Sequence, residues 1–184
     1  MEFSTLKIRH AALALVLGLG LAGSLQVFHA AAAGGGDDGE TTPTCKKGEV
    51  YDKKAQKCVK QSSAVITDEN RADYAYALAK EGRYDEALAM LDTVKDQNDP
   101  EVLNYRGYAT RKLGRTDEGI SYYLRSVAAA PRYAKVREYL GEAYIIKGRL
   151  DLAQEQLTEI RSICGTSCEE YVDLDQAIRN PTKS

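Results

Sequence analysis

Gly82-Arg83-Tyr84-Asp85-Glu86-Ala87 is followed by Gly114-Arg115-Thr116-Asp117-Glu118-Gly119 and by Gly148-Arg149-Leu150-Asp151-Leu152-Ala153. This is one phrase written three times, at intervals of 32 and 34 residues, the period of a solenoid of helical hairpins. One hairpin cannot bury its apolar face alone, so neighbours must stack and share a core. On either side of each phrase the apolar residues fall at helical spacing. Ala72, Ala75, Leu78 and Ala79 precede the first copy, and Ala87, Leu88, Leu91 and Val94 follow it. Leu103, Gly107 and Thr110 precede the second, with Ile120, Tyr123, Leu124 and Val127 after it. Val136, Leu140, Ala143 and Tyr144 precede the third, with Ala153, Leu157 and Ile160 after it. Each Gly suits a positive φ at a helix end. The Asp three residues later opposes the macrodipole of the next helix, and Pro131 closes the second pair.

Working outward, Cys164-Gly165-Thr166-Ser167-Cys168 leads into Glu169 to Ile178, where Tyr171, Leu174, Ala177 and Ile178 share one helical face. A solenoid needs such a cap over its last apolar side. Upstream, Cys45 to Cys58 brackets Val50-Tyr51, which suits a short strand, and Asp52 to Lys54, which suits a turn. So small a hairpin needs a bridge to hold it. The expected fold is all-α: three hairpins over 68–163 (about 68–99, 100–133 and 134–163) and a capping helix over 164–179. A cysteine-bracketed module at 45–60 and a flexible linker at 34–44 precede them.

The first 33 residues read as a secretory leader. Lys7, Arg9 and His10 form a positive start, Ala11 to Leu25 is apolar, and small residues offer cleavage near Ala32 or Ala33. The expected compartment is therefore the periplasm, or secretion beyond it. A membrane association follows only if the leader stays attached. Its removal takes away His10 and His29 and moves the formal charge only from −2 to about −3. Without imidazole, metal sites and acid–base catalysis lose their commonest participant. There is no Ser-His-Asp arrangement and no phosphate loop. No basic excess suggests nucleic acid. We expect no enzyme, no cofactor and no metal.

Four cysteines in an exported chain point to disulfides. Of the three pairings, the local ones, Cys45 with Cys58 and Cys164 with Cys168, are favoured. A thiol-dependent redox or metal-handling role for Cys164 and Cys168 is the alternative. A second alternative makes 45–58 a cell-wall-binding module presented by the repeats.

Taken together, these residues resemble the tetratricopeptide repeat family. The second repeat carries its pattern at Leu103, Arg106-Gly107, Thr110, Gly119, Tyr123 and Pro131. The third carries it at Arg137, Leu140-Gly141, Tyr144, Ala153 and Leu157. The first, the most degenerate, has Arg71, Tyr74-Ala75, Leu78, Ala87, Leu91 and a late Pro100. Arg106 stands where Leu is usual and Gly119 where Ala is usual, departures that bear on the packing of the second hairpin. The resemblance implies a concave surface, lined by the first helix of each hairpin, that receives a peptide or a helix. The inward positions it assigns are Ala72, Tyr76, Ala79, Lys80, Asn104, Tyr108, Arg111, Lys112, Glu138, Glu142 and Ile145. Tyr76, Tyr108 and Arg111 are of the types that dominate binding energy. The implied function is an exported scaffold that docks envelope proteins without catalysis. Three repeats are near the minimum for a stable stack, which leaves room for stabilisation by a partner or by self-association.

Overall fold

The computed structural model describes residues 42–181, so the leader over 1–33 and all but the last residues of the 34–44 linker lie outside the described residues. An antiparallel hairpin of β1 (Glu49–Asp52) and β2 (Lys57–Lys60) comes first, with Val50 opposite Val59 and Tyr51 opposite Cys58. Three helical hairpins follow: α1 (Asp68–Lys80) with α2 (Tyr84–Leu91), α3 (Pro100–Lys112) with α4 (Thr116–Ala129), and α5 (Ala134–Ile146) with α6 (Leu150–Cys164). Helix α7 (Glu169–Arg179) closes the stack. Among the described residues no helix is long and apolar enough to cross a membrane.

The thrice-written phrase does the same job each time. Gly82, Gly114 and Gly148 have φ of 80°, 83° and 70°, the left-handed region where a Cβ would be strained. This lets the Arg that follows donate its backbone N–H back to Leu78, Thr110 and Tyr144 respectively, satisfying carbonyls that the helix end leaves orphaned. The same Arg then precedes the first residue of the next helix. Asp85, Asp117 and Asp151 fall in that helix's first turn, as expected from the dipole. One six-residue phrase thus ends a helix, turns the chain and starts another. Pro131 lies just beyond α4, as anticipated. Pro100 acts differently: it is the first residue of α3, where its missing N–H is harmless. Asp99 before it accepts the N–H groups of Glu101 and Val102 at 2.9 and 3.1 Å.

The two departures in the second repeat tighten it. A Cβ on Gly107 would lie 2.6 Å from the Tyr123 ring, and one on Gly119 would lie 2.9 Å from the Gly107 carbonyl oxygen. Gly119 therefore lets α4 close directly on α3. Arg106 bridges outward to Asp92 at 2.8 Å and to Gln97, tying the second repeat to the first.

Both favoured disulfides are present, Cys45–Cys58 and Cys164–Cys168. The N-terminal hairpin is built into the stack. Val50 and Cys45 are buried in the same apolar core as Ala72, Tyr74, Ala75 and Leu78 of α1. The Cys45 N–H donates to the Tyr74 hydroxyl at 2.7 Å, and Arg83 donates to the Cys45 carbonyl at 2.9 Å. Lys53 pairs with Asp73. At the other end Leu174 of α7 is fully buried with Ile145, Ala153, Leu157 and Ile160. Hairpin and helix are the two end caps that a solenoid requires.

Candidate functional site

Helices α1, α3 and α5 lie one repeat apart, so residues at equal distance from the repeated Gly fall into rows across them. Six before the Gly stand Tyr76, Tyr108 and Glu142; nine before it stand Asp73, Tyr105 and Tyr139; ten before it stand Ala72, Asn104 and Glu138. Two before it stand Lys80, Lys112 and Ile146.

The first two rows assemble a tyrosine cluster. Tyr76 stacks on Tyr105 at 4.6 Å between ring centres and meets Tyr108 edge-on at 5.9 Å. Tyr108 lies 5.1 Å from Tyr139, and the hydroxyls of Tyr76 and Tyr139 share a 2.7 Å hydrogen bond across two repeats. Burial pushes the Tyr108 hydroxyl up to about 12 and Tyr139 upward as well. The Tyr108 and Tyr139 hydroxyls therefore stay neutral at physiological pH, and the rings of the cluster act as packing with polar tips.

Arg111 sits in the middle of this cluster. Its guanidinium donates to Glu142 at 2.7 Å and to the Tyr123 hydroxyl at 3.3 Å, and lies 5.7 Å from the Tyr108 ring centre. Its side chain is only 4% exposed. The expected hot spots are thus divided. Tyr76 and Glu142 are partly exposed and Lys80 and Lys112 are exposed, whereas Tyr108, Arg111, Asn104 and Glu138 are buried, as are Ala72, Ala79 and Ile145. Sequence could not make that division, because Arg111 meets Glu142 of the next repeat and the Tyr123 hydroxyl only once the hairpins have stacked. Lys80 and Lys112 each hold the ammonium over a tyrosine of their own helix, 5.7 Å from Tyr76 and 5.5 Å from Tyr108. Partial desolvation of its ammonium among these side chains, with the Arg111 and Lys80 charges, depresses Lys112 below its ordinary range, while Glu142 opposes the shift. Tyr105, Tyr139 and Lys135 join the site without having been singled out. Aligning the repeats on the Gly would have found the two tyrosines.

Among the described residues, two buried side-chain acceptors lack hydrogen-bond donors, and they occupy the same row: Asn104 Oδ1 and Glu138 Oε2. The Asn104 amide does donate to the Tyr133 hydroxyl at 3.2 Å. Burial pushes the Glu138 carboxyl up to about 8; Lys135 opposes this, while Glu142, Asp173 and Glu170 reinforce it. The folded protein therefore holds a proton on Glu138 that the unfolded chain releases near 4.5. Glu138 contributes most stability below about pH 4.5, and that contribution drains away as pH rises to about 8. Unfolding free energies from urea titrations between pH 5 and 9 should fall with a slope of at most ~1.4 kcal/mol per pH unit from this group. Glu138→Gln should flatten that part of the curve; an unchanged profile would mean that Glu138 is already ionised in the folded protein.

The cysteine triads Cys45/Glu49/Cys58 and Cys164/Cys168/Glu170 bring sulfur and carboxylate within 4.8 Å. All four sulfurs are joined in disulfides, so in this state each triad offers a metal ion a carboxylate and no thiolate. The chain's two histidines, His10 and His29, lie outside the described residues.

The tetratricopeptide repeat family model matches over residues 73–134 and again over 105–161. The structure is similar to the first TPR domain of Spaghetti (RPAP3) bound to an HSP90 peptide, at 19% identity and TM-score 0.54, covering 64% of this chain and 94% of that one. It is also similar to the Yersinia enterocolitica type III secretion chaperone SycD in complex with a peptide of the translocator YopD, at 17% identity and TM-score 0.53, covering 66% and 95%. MamA from MSR-1 shares 32% identity over 63% of this chain and 68% of its own, with a TM-score of 0.49. No curated protein sequence matches the chain. With three copies of the hairpin phrase and a family match that runs across the repeats, the chain belongs to the tetratricopeptide repeat family.

Proposed function

We propose that this protein is an exported, non-catalytic scaffold that binds a segment of an envelope protein along the face formed by α1, α3 and α5. Export rests on the leader pattern of residues 1–33, and protein binding rests on the face itself. The observation that carries the reading is the row of Lys80 and Lys112, both exposed and both poised over tyrosine rings, beside partly exposed Tyr76 and Glu142. Beneath them Arg111, Glu142 and the Tyr76–Tyr139 bond hold the surface in one arrangement, so little ordering cost accompanies binding. The peptides seated on RPAP3 and SycD support a peptide as the kind of occupant.

The cysteine alternatives have less behind them. The Cys164 and Cys168 sulfurs are consumed, and the Cys45–Cys58 hairpin already has a structural task against α1.

The test is capture of partners by the tagged mature protein from its exported compartment, read by mass spectrometry, with Lys80→Ala/Lys112→Ala alongside. These lysines are exposed, so the variant should retain wild-type helicity. A stoichiometric partner lost from the variant supports the scaffold. A partner retained undiminished moves the binding surface elsewhere, and no partner at all refutes the proposal.

A further inference from the structure

Two cations of the inner face have no anion to answer them. Lys80 and Lys112 hold the same place in successive repeats, two residues before the repeated Gly, and both are exposed. Their ammoniums lie 5.7 Å from the Tyr76 ring centre and 5.5 Å from that of Tyr108, two rings that themselves meet edge-on at 5.9 Å. An aromatic face steadies an ammonium but leaves its charge in place. Among the described residues neither ammonium has an ion-pair or hydrogen-bond partner. The neighbouring carboxylates are committed elsewhere: Glu142 accepts from Arg111 at 2.7 Å, and Glu81 accepts from the Thr44 hydroxyl at 2.6 Å. Lys112 already stands among the like charges of Arg111 and Lys80, with Glu142 opposing them. A carboxylate arriving from outside would relieve that repulsion. The third member of the row, Ile146, is apolar and 46% exposed.

Resting on the reading of this face as a protein-binding surface, we infer that the row selects an acidic segment in polyproline II conformation. Two Asp or Glu side chains, three residues apart, meet Lys80 and Lys112, and an apolar side chain three residues further on meets Ile146. The spacing follows from the stack. Packed helices lie about 8–10 Å apart. A polyproline II chain rises about 3.1 Å per residue with three residues per turn, so every third side chain points the same way about 9 Å along. Other backbones fit the row less well. A β-strand turns i and i+3 to opposite faces, and its i and i+2 side chains are only about 7 Å apart. On an α-helix i and i+3 are about 5–6 Å apart. Carboxylates within the segment suffice, so no free chain end is required.

Fluorescence anisotropy on the mature protein tests this with labelled Leu-Pro-Pro-Glu-Pro-Pro-Glu-Pro-Pro-Leu, which presents the pattern in either chain direction. Gln in place of both Glu should weaken binding about tenfold at low salt, the worth of two exposed ion pairs. Leu-Pro-Pro-Glu-Glu-Pro-Pro-Pro-Pro-Leu keeps the charge but loses the spacing, so it forms one pair and should bind about threefold more weakly. Ser in place of both Leu should cost about threefold, through the contact with Ile146. Lys80→Gln/Lys112→Gln should bring the Glu and Gln peptides to equal affinity; both lysines are exposed, so circular dichroism should show wild-type helicity. Lys54→Gln/Lys57→Gln, the same charge change on the exposed tip of the N-terminal hairpin, should leave the preference intact. Equal binding of the Glu and Gln peptides overturns the inference. So does undiminished binding of the peptide with adjacent acids, a preference that survives Lys80→Gln/Lys112→Gln, or an equal loss in the hairpin variant. If the acidic preference is missing while the captured partner still depends on Lys80 and Lys112, this inference alone falls. If partner capture fails too, the scaffold reading falls with it.

Discussion

Replacing Arg111 with Ala is expected to cost about 3 kcal/mol of folding stability, the lower end of what breaking a buried ion pair costs. The lower end applies because Glu142 keeps 27% of its side chain exposed and can recover water, whereas Arg111 is 4% exposed. The substitution also leaves the Tyr123 hydroxyl without its guanidinium donor and opens space between Tyr108 and Tyr139. A loss of this size is a large fraction of the ~5–15 kcal/mol that holds a domain together. It falls in the middle repeat, so it weakens the interfaces on both sides of α3. Urea unfolding followed by circular dichroism measures it. Glu142→Gln in the Arg111→Ala background should recover part of the loss, since it removes the uncompensated carboxylate, and the cycle isolates the pair. A loss below about 0.5 kcal/mol would place the pair among ordinary surface bridges. For the same reason Arg111 is no clean probe of binding: lost capture in Arg111→Ala would report unfolding as readily as a missing contact.

Cys45→Ser/Cys58→Ser should cost about 3 kcal/mol, because the bridge closes a 13-residue separation in the unfolded chain. The Cys164–Cys168 bridge closes a separation of only 4, and its loss should cost about 2 kcal/mol by the same chain-entropy argument. The two losses should also differ in place. Without the first bridge, Cys45 and Val50 lose their hold on the face of α1 that carries Tyr74, Ala75 and Leu78, so the stack should open from its N-terminal end. Hydrogen exchange resolved along the chain should show α1 and α2 losing protection while α5 and α6 keep theirs. Uniform loss across all repeats would mean that the array unfolds as one unit, and no loss would make the hairpin an appendage.

Much of this was legible in the sequence because it is local. The Gly-Arg phrase carries its own mechanism: a residue without Cβ takes a positive φ, the next N–H turns back to a carbonyl, and an acid opens the next helix. The two short cysteine spacings made local bridges the natural pairing. Even the tyrosines of the inner rows were countable from the Gly. The role of each residue within its row was not countable. Arg111 and Lys112 are neighbours in sequence and on the same helix, yet one is buried and the other exposed. Adjacent helical positions point about 100° apart, but which of the two faces the core, and that Arg111 there meets Glu142 from 31 residues away, appears only in the stacked structure. The reason for Gly119 where Ala is usual is likewise tertiary: its missing Cβ lets α4 close on the Gly107 carbonyl of α3.

The sequence by itself determined the repeat, its hairpins, the turns between them and the bridges, since each depends on residues a few positions apart whose backbone preferences and hydrogen bonds need no distant partner. The tertiary structure alone decided which polar groups of the inner face are spent on holding repeats together, as Arg111 and Tyr139 are, and which stay exposed, as Lys80 and Lys112 do. That division depends on burial and on charges brought together across repeats, and these exist only once the hairpins have stacked.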